Sequence, residues 1–359
     1  MSKDMGRAAI SRRGFIAMGG SVLAAVAGLG LAGCGAGGAA GGAKAAGSSA
    51  DAAADKATYD EVTLKVAYMP NLGSASTLFT AIDQGYFKDV GITIEPQQFQ
   101  KGPAEITAMQ SGSVDISQIG HGAHSLAIKG QATVIALDQL SKADAVVANK
   151  AKGISKPEDL KGKTVGVSSG TSSQVILTYV LKKAGLAASD VKTVEMDVAG
   201  MTTALVAGQI DAAATWSPNT IALKKQLGDN YLVLGTDTDF TDQVAFPASF
   251  VATPQYVKDN EDVLVRFGKA VLKAQKYRAE HIDEVAKATA KDINVDEATF
   301  VQSEGEGDWE APVKAAGDTD AIEKIYEAQQ QVFIDGGQIP AKVPVKDYVA
   351  LDLIEKYSK

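Results

Sequence analysis

The chain has 359 residues, with 35 lysines and arginines against 43 aspartates and glutamates and a formal net charge of −8. An acidic average surface argues against a nucleic-acid partner. One cysteine excludes an intrachain disulfide and a thiolate zinc site.

Lys3, Arg7, Arg12 and Arg13 precede a small-residue apolar run at 16–31. That run is short for a membrane span and fits the hydrophobic region of an export signal. The stretch SRRGF at 11–15 is similar to a twin-arginine signal, with the general secretory route left open, and LAGC at 31–34 is similar to a lipobox. Residues 1–33 are therefore expected to be a signal peptide. Cys34 is expected to carry the lipid that anchors the exported protein to the outer face of the cell membrane. The leader holds a net charge of +3, so the remainder stands at −11. Residues 34–60 are rich in Gly, Ala and Ser, cannot bury a core, and read as a flexible linker. The folded part begins near Val62 and is long enough for two domains.

From there, short apolar runs rich in β-branched residues alternate with helical patterns. Strands are expected at 63–69, 91–95, 114–119, 133–140 and 143–148, with helices at 74–84, 103–111 and from 124 onward. The order then recurs: a strand at 164–167, a helix closing on Gly185, a strand at 191–196, a helix at 202–207 and a strand at 210–215. A strand at 246–253 leads into a mostly helical C-terminal part, with helices near 260–288, 295–305 and 319–336. This alternation predicts an α/β fold with a mainly parallel sheet. The segments MQSGSVDI at 109–116 and LVAGQIDA at 205–212 align at a separation of 96, pairing Gly112 with Gly208 and Asp115 with Asp211. An internal duplication is the natural reading, with Gly as helix stop and Asp in the turn into the strand. No long apolar segment follows the leader.

The segment KTVGVSSGTSSQVILTYVLKKAGL at 163–186 reads as strand, Gly/Ser loop and helix start. That geometry aims free amides and the positive end of a helix at one spot, which suits an anion. Ser168, Ser169, Thr171, Ser172 and Ser173 add hydroxyls; an ordinary capped βα turn is the plainer alternative. The loop is neither a P-loop nor a dinucleotide fingerprint. Ligands of open α/β sheets bind beyond the carboxyl ends of strands, which collects the loops 70–74, 120–124, 168–173, 197–201 and 216–219 around one pocket.

Several blocks carry a family resemblance: VAYMP at 66–70, AIDQGYFK at 81–88, AMQSGSVD at 108–115, KPEDLKGKTVGV at 156–167 and GQIDAA at 208–213. The chain resembles the substrate-binding proteins of ABC importers for nitrate, aliphatic sulfonates, taurine and thiamine-precursor pyrimidines. The resemblance implies a hinged, two-lobe periplasmic-binding-protein-like fold of type II with the ligand cleft between lobes. Lobe one would hold 62–147 plus 248–359 and lobe two 148–245, with crossings near 147–149 and 245–248. It implies an ABC permease and ATPase as partners, a small-molecule solute, no catalysis and no cofactor; a monomer is expected.

Carried over by position, the ligand-binding residues would be Asn71, Ser74, His121, His124, Ser168, Ser169, Thr171, Ser172, Ser173 and Trp216. His121 and His124 could instead only line or cap their loop, and two histidines without a third ligand do not make a metal site. Serines and amides suit a sulfonate, and a carboxylate at Asp138 or Asp197 would suit the ammonium group of a zwitterion such as taurine. Trp216 and Tyr68 could equally flank an aromatic or heterocyclic ligand such as a pyrimidine precursor. A pyrimidine-synthase-like enzyme on this fold is disfavoured, because such relatives use a cysteine cluster. A ligand-sensing lipoprotein is a third reading.

Overall fold

The computed structural model describes residues 59–359. The expected signal peptide, Cys34 and nearly all of the expected linker lie outside the described residues.

The first lobe starts with β1 (Val62–Tyr68), α1 (Leu72–Asp83), β2 (Ile92–Gln98), α2 (Gly102–Gln110), β3 (Ile116–Ile119), α3 (His124–Ile128) and β4 (Thr133–Ser141). The second holds β5 (Asp144–Asn149), β6 (Thr164–Val167), α4 (Ser172–Lys183), β7 (Lys192–Glu195), α5 (Val198–Val206), β8 (Ala212–Trp216), α6 (Asn219–Leu227) and β9 (Tyr231–Thr236). The chain returns through β10 (Pro247–Ala252). It continues as α7 (Pro254–Asp259), α8 (Glu261–Glu280), α9 (Ile282–Asp292), α10 (Glu297–Gln302), β11 (Gly307–Asp308), α11 (Ala311–Ala315), α12 (Thr319–Asp335) and α13 (Leu351–Ser358). No helix among the described residues is long and apolar enough to cross a membrane.

The strands form two sheets, one in each lobe, ordered β11-β4-β10-β3-β1-β2 and β7-β6-β8-β5-β9. In each, a parallel trio (β2-β1-β3 or β7-β6-β8) is extended by an antiparallel strand, β10 or β5. Those two strands are buried at every position. Their continuous apolar runs suit strands covered on both faces. This placement of β5 corrects the expected first crossing. Residues 144–149 pair with β8 and β9, so the chain leaves the first sheet at 142–143 and not near 147–149. The strand β9 falls in a stretch where no strand was expected.

The repeated segment has the same geometry in both lobes. Gly112 and Gly208 adopt φ of 73° and 70°, the left-handed conformation that stops a helix and that glycine tolerates. Asp115 accepts from the Lys65 amide and Asp211 from the Thr164 amide, each at 2.8 Å. Each aspartate thus ties the start of its strand to the central strand of its parallel trio, β1 or β6.

One apolar core runs from the first sheet into the second. It includes Phe250 and Phe267 in lobe one, Phe333 on α12, Val175 and Val180 on α4, and Val146 and Val165 in the second sheet. Burying a phenylalanine of this kind contributes about 1.5–3 kcal/mol. The other face of the second sheet has a separate core around Val147, Met201, Leu205 and Leu223. Between α12 and α4, the Lys182 ammonium meets the Asp335 carboxylate at 2.6 Å.

Candidate functional site

A cleft lies between the two sheets, with about 700 Å³ of empty space, part of it open to solvent. The first lobe lines it with Met69, Asn71, Ser74 and His121, and the second with Asp144, Thr171, Ser172 and Trp216. The C-terminal part adds Ser303, Glu306 and Trp309. At its edge the lobes touch. A Cβ on Gly122 would overlap the backbone of Thr171 and Ser172, so only glycine allows this approach. The hydroxyls of Ser217 and Ser303 meet at 3.0 Å.

Six of the ten expected ligand-binding residues line the cleft: Asn71, Ser74, His121, Thr171, Ser172 and Trp216. Some of their polar atoms also have local work. Asn71 caps α1 by accepting from the Ser74 amide at 2.9 Å, and Ser74 Oγ accepts from the Met69 amide at 2.8 Å. The structure does not bring His124, Ser168, Ser169 or Ser173 to the cleft. His124 is fully buried, its Nδ1 3.0 Å from the His121 carbonyl and its Nε2 2.9 Å from Ser249 Oγ. The carbonyl contact makes Nδ1 the protonated nitrogen, so Nε2 accepts from Ser249. Burial above all pushes the His124 pKa down to about 3, which keeps the ring neutral.

Much of the Gly/Ser loop meets its own needs, and four amides of the expected anion cradle are taken up by the protein. The Ser168 amide donates to Ser173 Oγ at 3.0 Å, and Ser173 Oγ donates to the Ala214 carbonyl. The Ser169 amide and hydroxyl both donate to the Glu195 carboxylate. The Gly170 amide donates to Gln174 Oε1, and the Ser173 amide to Thr171 Oγ1. The plainer alternative, a capped βα turn, describes this loop.

The carboxylates considered from sequence lie elsewhere. Asp138 is fully buried, 3.2 Å from the Arg278 guanidinium, and it accepts from Thr77 and Gln118. Asp197 caps α5 through the Gly200 amide. Tyr68 packs edge-on against Phe79, away from the cleft lining. In their place the cleft presents Asp144 and Glu306, which sequence reasoning missed. An aspartate opening the apolar strand DAVVAN was the available signal for Asp144. Glu306 and Trp309 lie in EGEGDWE, which has no helical or strand periodicity to flag it.

Asp144 belongs to a buried cluster. His121 Nε2 is 3.1 Å from Asp144 Oδ2, and the Ser141 hydroxyl lies 3.1 Å from a carboxylate oxygen of both Asp144 and Asp237. Burial works to raise the Asp144 pKa, but His121, by charge and hydrogen bond, outweighs it, with help from Asp237 and Ser172. The net effect holds Asp144 below its ordinary value and ionised. Burial, and then the charge of Asp144, push Asp237 well above its ordinary value, so it keeps its proton. The donor atoms of His121, Asp144 and Asp237 lie within 4.8 Å of one another, close enough to hold a cation. His121 and Ser141 engage one oxygen of Asp144, and Ser141 one of Asp237, while Asp144 Oδ1, Asp237 Oδ1 and His121 Nδ1 have no partner. Sequence reasoning had set His121 beside His124; the structure sets it beside two carboxyl groups.

This is the two-lobe fold of periplasmic binding proteins. Two of the solved structures that share it are as follows. The alkanesulfonate-binding protein of Xanthomonas axonopodis pv. citri, bound to MOPS, matches with a TM-score of 0.65 at 20% identity, over 81% of this chain and 99% of that one. The periplasmic nitrate-binding protein of Synechocystis PCC 6803 matches with a TM-score of 0.68 at 14% identity, over 83% and 88%. The chain belongs to the NMT1/THI5 like family, whose model matches residues 74–285. Among curated relatives, a binding protein of Brucella abortus (strain 2308) is 28% identical over 296 residues, 82% of this chain and 92% of the relative. The taurine-binding periplasmic protein of Escherichia coli is 27% identical over 219 residues, 60% of this chain and 66% of the relative.

Proposed function

We propose that the chain is the solute receptor of an ABC importer, exported to the cell envelope and held there through a lipid on Cys34. It captures one small solute by closing its two lobes and presents it to a membrane permease and its ATPase. The observation that carries this reading is the cleft itself, to which both lobes contribute side chains and whose edge is sealed by Gly122 against Thr171. A solute touching both lobes favours the closed state by its differential contacts alone, and no chemistry is required. The receptor role fits relatives named as binding proteins. No cysteine joins the lining residues.

The names of two relatives, for taurine and for aliphatic sulfonates, supply one reading of the solute. Trp216 and Trp309 in the lining favour an aromatic or heterocyclic solute as a second. A thermal-shift screen of the purified protein against taurine, alkanesulfonates, nitrate, aminopyrimidines and an envelope metabolite pool tests the receptor role. A ligand of the folded state raises the melting temperature. A rise with at least one solute is expected; no rise with any solute or with the pool would sink the reading.

A further inference from the structure

The cleft wall also limits what the solute carries, and this inference rests on the receptor reading above. Among the described residues no lysine or arginine lines the cleft, whereas two carboxyl groups do. Four lining side chains hold a buried acceptor oxygen with no partner in the protein, Asp144 Oδ1, Glu306 Oε2, Gln118 Oε1 and Gln139 Oε1, and the lining His121 leaves its Nδ1 without one. The Gln118 amide is oriented by its Nε2, which donates to Asp138 Oδ2 at 2.8 Å, so its oxygen is the free end. Asp144 is 2% exposed, and its other oxygen is engaged by His121 and Ser141. Desolvated acceptors are stabilised by donors, and desolvated carboxylates most of all by cationic ones. Four of the loop amides that would serve an anion, those of Ser168, Ser169, Gly170 and Ser173, are already committed to Ser173, Glu195, Gln174 and Thr171. Ser172, at the N-terminal turn of α4, lines the cleft together with Asp144. Trp216 supplies an aromatic face, which attracts cations and repels anions.

We propose that the recognised head of the solute is a nitrogen-centred cation with several N–H donors, of the amidinium or primary ammonium class. Asp144 and Glu306 read its charge, and Gln118 accepts a further N–H. A solute whose only charge is a sulfonate finds two carboxyl groups and, as counter-charge, only His121, which is already paired with Asp144.

Three probes of similar size and different charge test it: benzamidinium, benzamide and benzenesulfonate, each titrated calorimetrically into the purified full-length protein up to millimolar concentration. Benzamidinium is expected to bind at least about tenfold more tightly than benzamide, and benzenesulfonate more weakly than either. Asp144→Asn and Glu306→Gln should each weaken benzamidinium about tenfold or more and leave benzamide within about twofold. Asp144 is deeply buried, so its variant is first compared with the parent by thermal melting. Glu306→Gln, at a more exposed position, carries the same expectation if Asp144→Asn fails to fold. Tighter binding of benzenesulfonate than of benzamidinium would overturn the cationic head and leave the receptor reading standing. Equal affinities for benzamidinium and benzamide, or no binding of benzamidinium, would overturn it too; the metabolite-pool screen would then decide the receptor reading by itself.

Discussion

In lobe one Met69 follows β1, and its amide donates to Ser74 Oγ on the following helix; in lobe two Ser168 follows β6, and its amide donates to Ser173 Oγ on α4. Asp115 binds the Lys65 amide as Asp211 binds that of Thr164, and β1 and β6 are each flanked by two parallel neighbours. The same unit thus occurs twice, down to single hydrogen bonds. The copies diverge where they meet the cleft. The first loop of lobe one exposes Asn71 and Ser74 to it; the matching loop of lobe two exposes Thr171 and Ser172 but closes its Ser169 end on Glu195. The free carboxylate acceptors come from outside the shared unit: Asp144 on the central antiparallel strand and Glu306 in the C-terminal part. Duplication explains the scaffold, and the differences between the copies explain the chemistry.

The comparison breaks most visibly at the contact between the lobes. Gly122→Ala would push lobe one off Thr171 and hold the cleft open. Solute affinity should fall about a hundredfold, about 2.7 kcal/mol, while the melting temperature without solute changes little. Small-angle scattering should show a larger radius for this variant in the presence of solute; an unchanged radius and affinity would remove Gly122 from the closing contact.

A second test lies inside the duplicated helix. At the separation of 96, Glu105 on α2 corresponds to Met201 on α5, and both are fully buried. The Glu105 carboxyl has no partner for either oxygen, and burial raises its pKa well above the ordinary value. A carboxyl raised in the folded state costs nothing below its unfolded pKa, and its cost grows as pH climbs toward the folded pKa. Glu105→Met should therefore stabilise the protein by about 1–3 kcal/mol at neutral pH, with a smaller gain near pH 4.5. Chemical denaturation at the two pH values measures it, and a gain that does not grow with pH would contradict the assignment.

The matched aspartates give a smaller effect. Asp115→Ala and Asp211→Ala should each cost about 1 kcal/mol, and the double variant should equal their sum within about 0.5 kcal/mol, because the sites share no partner. A marked difference between the two costs would show that the copies have drifted energetically as well as chemically. The smallest effect is expected from Glu195→Gln, which leaves the Ser169 donors a neutral acceptor. A melting shift within about two degrees, with new weak sulfate binding to the loop, would show that Glu195 occupies a former anion site.

Much of the scaffold was legible in sequence because its determinants are local. The β-branched runs, the glycine stops at Gly112 and Gly208 and the repeated Asp positions each act within a few residues. The site was less legible. Strand, Gly/Ser loop and helix start mark an anion site only while the amides are free, and the partner that takes them up, Glu195, is 26 residues away from Ser169 in the chain. Asp138 looked available to a ligand because nothing in sequence announces Arg278, 140 residues later, as its buried partner. The sheet membership of β5 could not be read from a strand buried on both faces, since such a run fits either sheet. Glu306 and Trp309 reach the cleft through an irregular segment whose position depends on the whole C-terminal part.

The most direct measurement is native mass spectrometry of the protein after exposure to an envelope metabolite pool, with the parent chain and Gly122→Ala side by side. One small solute bound at unit stoichiometry to the parent, released on denaturation and lost from Gly122→Ala, is the result expected of a receptor that closes over its cleft. A parent chain that retains no solute, or a variant that retains it equally well, would contradict that account.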